Sequence, residues 1–92
     1  MPVYRTQNRI IADVLAAVRD SRAEGREATI STVMRKSNLS HTRITRLLSR
    51  LIGNGLLQEV DPRGYALSEK GLKYLRFYSQ FDEFAVSYGL KI

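Results

Sequence analysis

The chain has 92 residues, with 15 Lys and Arg against 9 Asp and Glu, a formal net charge of +6, a single His and no Cys. That length suits one small domain, or one domain with an appended arm. The missing thiols exclude a disulfide scaffold and a thiolate metal site, and one histidine excludes the common zinc patterns. The positive balance favours nucleic acid, an anionic membrane surface or an acidic protein as partner, and composition does not choose among them. The N-terminus is polar and basic, and no stretch approaches the roughly 18 apolar residues of a membrane span. The expectation is a cytoplasmic protein without a membrane partner.

From about Thr6 to Arg22 the residues Ile10, Ile11, Val14, Leu15, Ala17 and Val18 recur with helical period, and Gly25 follows a charged run. The spacing predicts a core helix that stops near Ala23. Glu27 to Ile30 suits either a minimal strand or an extended lead into the next helix. Ser31 is the expected cap of a short helix in which Val33 and Met34 face inward while Arg35 and Lys36 face out. Asn38 suits the following turn, since asparagine tolerates left-handed geometry, and Leu39 is the apolar plug behind it.

Ser40 to Asn54 reads as a longer helix marked at both ends, with Ser40 as N-cap and Gly55 as stop. Ile44, Leu47, Leu48, Leu51 and Ile52 share one side, and Arg43, Arg46 and Arg50 fall on another. Three arginines on one helix are by themselves an ordinary solvated face. The surroundings are less ordinary. Between Ala28 and Gln58 there are five basic residues, Arg35, Lys36, Arg43, Arg46 and Arg50, and no acidic one. The order helix, tight turn, longer helix is helix-turn-helix punctuation.

Leu56 to Val60 and Tyr65 to Leu67 flank Asp61-Pro62-Arg63-Gly64, the composition of a β-hairpin. Ser68 with Glu69 opens a last helix running to about Tyr88, and Gly71 sits early enough in it to suggest a close backbone approach. Along it, Gly71, Tyr74, Tyr78, Phe81, Ala85 and Tyr88 alternate at spacings of three and four, a heptad seam carried mainly by aromatics. Leu72 and Leu75 lie off that seam, where they are expected to pack on the hairpin and the first helix. At about 1.5 Å per residue the helix would span roughly 30 Å, so its far end is expected to be bare in a monomer and to need a partner. The competing reading folds the seam back against the first helix.

Three runs carry a family resemblance: Ser37-Asn38-Leu39-Ser40 at the turn; Leu47-Leu48-x-x-Leu51 with Gly55-Leu56-Leu57 leading to the hairpin; and Tyr65-x-Leu67-Ser68-Glu69-Lys70-Gly71-x-x-Tyr74-Leu75 into the last helix. With these the chain resembles winged-helix proteins. More closely, it is similar to small archaeal winged-helix DNA-binding proteins that dimerise through an antiparallel coiled coil of their C-terminal helices. The resemblance implies a mainly α fold with a small β-hairpin, a winged helix-turn-helix over residues 1–67 and a dimerisation arm over 68–92. It also implies a seam at Tyr74, Tyr78, Phe81, Ala85 and Tyr88.

By the same resemblance the 40–54 helix enters the major groove of double-stranded DNA, with the 57–67 hairpin as wing. Ser40, His41, Thr42, Arg43, Thr45 and Arg46 are then candidates for base edges or flanking phosphates, and Ser49 and Arg50 lie better for phosphate. Arg35 and Lys36 would fix position only. Arg63 is either a wing cation for the DNA or an ion-pair partner of Asp61 or Glu59; His41 is either a contact or a solvent-exposed capping residue. Tyr4, Arg5 and Arg9 are lesser candidates to extend the footprint. The basic window holds no aromatic residue, which favours duplex over single-stranded DNA.

No spacing suits acid–base or nucleophilic catalysis and no Gly-rich phosphate loop appears, so neither an enzyme nor a cofactor is expected. No small-molecule pocket is evident either. The expected function is transcriptional regulation by a homodimer. The alternatives are nucleoid packing without sequence preference and a protein-interaction adaptor, since the fold serves both.

Overall fold

The computed structural model describes residues 5–60 and 64–89. Its order is α1 (Gln7–Ala23), α2 (Ile30–Ser37), α3 (His41–Gly53), β1 (Leu57–Glu59), β2 (Tyr65–Leu67) and α4 (Glu69–Ser87). This is the mainly helical architecture with one hairpin and a long last helix that the sequence predicts. All four helices begin where a side-chain oxygen can take up a free backbone N–H of the first turn. Thr6 accepts from Arg9 N, Ser40 from Arg43 N and Ser68 from Gly71 N.

The start of α2 differs from expectation. Thr29, rather than Ser31, is the cap, and its Oγ1 accepts from Thr32 N at 3.3 Å. Both residues are good caps by type. The choice falls to Thr29 because Ile30, as the first helical residue, packs against the core while Ser31 stays exposed. The segment before it is an extended lead. It is tied to the hairpin by Tyr65 N, which donates to the Ala28 carbonyl at 3.0 Å. Asn38 takes the left-handed conformation at φ 57° and turns the chain from α2 into α3, with Leu39 buried behind it.

Residues Val14, Leu15 and Val18 of α1, Val33 of α2, and Ile44, Leu48 and Leu51 of α3 form the fully buried centre, closed on one side by Leu56 and Leu57. The hairpin is antiparallel, with Leu57 opposite Leu67, Gln58 opposite Ala66 and Glu59 opposite Tyr65. Val60 N donates to the Gly64 carbonyl across the turn; the turn residues 61–63, including Arg63, lie outside the described residues.

The first turns of α4 lie in the same core. Gly71 is buried, Tyr74 and Leu75 pack on the core cluster, and the Tyr74 hydroxyl donates to the Asn8 carbonyl at 3.2 Å. Burial raises the pKa of that phenol, which keeps its proton available for the bond. Leu72 departs from expectation: it is 45% exposed, lying about 100° round the helix from the buried Gly71 and lining an open groove with Leu75 and Arg19 of α1. A Cβ on Gly71 would run into the Leu56 carbonyl oxygen, which is backbone and has little room to move. Gly71→Ala is therefore expected to cost about 1–3 kcal/mol, the range for overpacking a tight site. Urea unfolding monitored by circular dichroism measures that loss as a lower midpoint.

Candidate nucleic-acid interface

Ile44, Leu47, Leu48 and Leu51 bury one side of α3. With 3.6 residues per turn, the side opposite them carries Thr42, Arg46, Ser49 and Gly53 in one row, with Thr45 beside it. Arg43 and Arg50 fall on the flank that faces α1. With Arg46 they border a shallow groove whose other walls include Gln7, Ile10, Leu39 and Leu47. The three arginines thus form a gradient, Arg46 pointing most directly outward and Arg43 and Arg50 lying to one side.

All three are exposed, and among the described residues none of them has an ion-pair partner. Their guanidinium donors are therefore free for an external anion, and arginine presents them in a planar fork suited to phosphate or to a guanine edge. Exposed His41 and Thr42 sit in the first turn, where the positive end of the helix dipole adds to the attraction.

Two hydroxyls are partly committed. Ser40 Oγ accepts from Arg43 N at 3.2 Å as the cap, and Thr45 Oγ1 donates to the His41 carbonyl at 2.8 Å. Ser40 keeps a donor and Thr45 keeps acceptor lone pairs. Ser49 is exposed.

The basic window is not acid-free in space. Lys36 Nζ lies 2.6 Å from Glu24 Oε1, because the packing of α1 on α2 brings together residues 12 apart in sequence. Lys36 is thereby partly neutralised, whereas Arg35, one residue earlier, is exposed and has no such partner among the described residues.

Arg5 serves a different purpose from the one its charge suggests. Its Nη1 donates to the Ser37 carbonyl at 2.7 Å and to Asp13 Oδ2 at 3.0 Å, and its Nη2 donates to the Asn38 carbonyl at 3.2 Å. One guanidinium therefore closes the C-terminal end of α2 and ties the helix-turn-helix corner to α1. Arg9 binds the other oxygen of Asp13 at 3.1 Å, and that bond holds its guanidinium protonated above its ordinary pKa. Both cations are engaged within the chain. Tyr4 lies outside the described residues.

On α4 the residues expected to form a dimer seam divide. Tyr74 bonds to α1, Tyr78 interacts with Arg9, and Ala85 is 7% exposed. Phe81 and Tyr88 are 67% and 68% exposed, together with Phe77 at 65% and Phe84 at 53%. The exposed row is thus Phe77, Phe81, Phe84 and Tyr88, also spaced four, three and four; it borders the face that carries Tyr74 and Tyr78, with Phe81 in line with Tyr74 but about two turns farther along. Two of its rings, Phe84 and Tyr88, already touch at 4.6 Å between centroids.

Among the described residues no three of His, Cys, Asp and Glu come together as metal ligands, and no helix is long and apolar enough to cross a membrane. Residues 4–86 match the family described as winged helix-turn-helix. No curated protein matches the chain.

The clasp at the corner makes Arg5 a stability residue. Arg5→Ala leaves the Ser37 and Asn38 carbonyls without their donor, at a cost of about 1–2 kcal/mol. The measurement is urea unfolding; an unchanged midpoint would remove this role.

Proposed function

The chain belongs to the winged helix-turn-helix family, a membership that points to DNA binding, and we propose that it is a homodimeric transcriptional regulator that binds double-stranded DNA. In this reading α3 lies in the major groove. Arg46 on the outward row, with Thr42, Thr45 and His41, meets base edges, while Arg43, Arg50, Ser49 and Arg35 hold phosphates. The 57–67 hairpin is the wing, and Arg63, a cation in the sequence of its turn, is assigned to the DNA. Lys36 contributes less than its charge suggests, because Glu24 holds it.

The observation that carries the reading is the face of α3 itself. Three exposed arginines stand there, and among the described residues no carboxylate is paired to any of them. An adaptor surface has no need of so many unpaired cations on one helix, and the chemistry fits a polyanion better than an apolar or mixed protein surface. Such a protein acts where the chromosome lies, in the cytoplasm, and the reading assigns it no catalysis and no cofactor.

The dimer is proposed on the second half of α4. Phe77, Phe81, Phe84 and Tyr88 form an apolar row that the described residues leave uncovered. Its occupant is a second copy, because the spacing is self-complementary. In an antiparallel pair Phe81 would lie in one layer with the partner's Phe84, and Phe77 with the partner's Tyr88. Tyr74, which bonds to α1, and Tyr78, beside Arg9, would flank that seam rather than fill it.

Changing Arg43, Arg46 and Arg50 together to glutamate is expected to abolish duplex binding in a gel shift while leaving the circular dichroism spectrum unchanged, since none is buried; retained affinity would sink the reading. Selection from a random duplex pool at physiological salt separates the two kinds of DNA-binding protein. An enriched motif is expected of the regulator, and no enrichment would mean nucleoid packing. Phe81→Glu is expected to give monomers by light scattering, and a wild type that is itself monomeric would remove the dimer.

A further inference from the structure

Gly53, the last residue of α3, serves no visible purpose inside the chain. The residue that needs glycine's freedom at this helix end is Gly55, at φ +79°, whereas Gly53 has no positive φ and a Cβ built on it meets nothing within 4 Å. Glycine in a helix lowers stability relative to alanine, because it surrenders more backbone freedom on folding. Yet Gly53 is exposed and completes the outward row of Thr42, Arg46 and Ser49.

A second observation lies beside it. The C-terminal end of a helix carries a negative partial charge that repels anions. Here that end is covered from α4, since Lys70 donates its Nζ to the Asn54 carbonyl at 2.9 Å. An ammonium has three donors, so Lys70 can hold that carbonyl and still offer N–H groups outward. The end of α3 is therefore both stripped of side chain and supplied with a cation from another element.

We propose that the sugar–phosphate backbone of the bound duplex crosses α3 at Gly53, where the bare helix surface lets a phosphate reach Lys70. The inference rests on the DNA-binding reading and extends it to two residues for which the sequence alone suggests no such role. A methyl group at position 53 holds the strand away from the helix and lengthens the contacts of Ser49 and Arg46 on the same row. Lys70 supplies charge and position, not base recognition.

The test measures duplex affinity of the full chain at several salt concentrations for the wild type, Gly53→Ala and Lys70→Gln, with urea unfolding alongside. Gly53→Ala is expected to be at least as stable as the wild type yet to bind about tenfold more weakly, the scale of one lost charge-assisted contact. Lys70→Gln is expected to reduce the slope of log affinity against log salt by about one. Wild-type affinity in Gly53→Ala would overturn the close approach, and an unchanged slope in Lys70→Gln would overturn the phosphate contact. In both cases the DNA-binding reading would stand. A wild type that fails to bind duplex at any salt would overturn that reading and this inference together.

Discussion

The junction of α3, β1 and α4 is the constraint on which the molecule depends. Within a few residues, Ser68 N donates to the Leu56 carbonyl, the Ser68 hydroxyl donates to the Gly55 carbonyl and Lys70 reaches the Asn54 carbonyl. Gly71 packs so close to Leu56 that no side chain fits between them. These contacts satisfy the carbonyls of the turn that leaves α3, Asn54 to Leu56, and they do so with groups from the start of α4. The helix bearing the arginines and the helix bearing the aromatics are therefore joined end to start by bonds rather than by a linker.

A second junction sets the other end of α3. Asn38 in its left-handed turn fixes the direction in which the chain leaves α2, and Arg5 holds the carbonyls of Ser37 and Asn38 against Asp13 of α1. Between the two junctions, the buried row of Ile44, Leu47, Leu48 and Leu51 fixes the roll of α3 about its own axis. Roll matters for function. It decides that Arg46 points outward while Arg43 and Arg50 look toward α1, the difference on which the proposed division between base edges and phosphates rests.

Much of this was legible from local signals, because caps and apolar periodicity act over a few residues. Thr6, Ser40 and Ser68 mark their helices, Gly55 ends one, and Gly71 announced a close approach before its neighbour was known. What the sequence hid was tertiary. Thr29 and Ser31 are equally good caps by type, and only the packing of Ile30 chooses between them. Glu24 is outside the basic window along the chain but lies against Lys36 in space. Arg5 looks like a spare cation until the end of α2 comes into view. The α4 seam is the clearest case. Its aromatics satisfy more than one heptad register, and periodicity cannot say which face the chain will use itself. The bond of Tyr74 to Asn8 commits the start of the helix to α1, and Phe77, Phe81, Phe84 and Tyr88 stay exposed.

Joining α3 to α4 without a hinge also has a mechanical meaning. In the proposed dimer each aromatic arm would behave as a rigid crank, since the bonds at Ser68 and Lys70 leave no loop to absorb torsion. A small change in the tilt of the paired arms would pass undiminished into the span between the two arginine-bearing helices. Ring size along the Phe77 to Tyr88 row, far from any DNA, would then set the half-site separation that the protein tolerates.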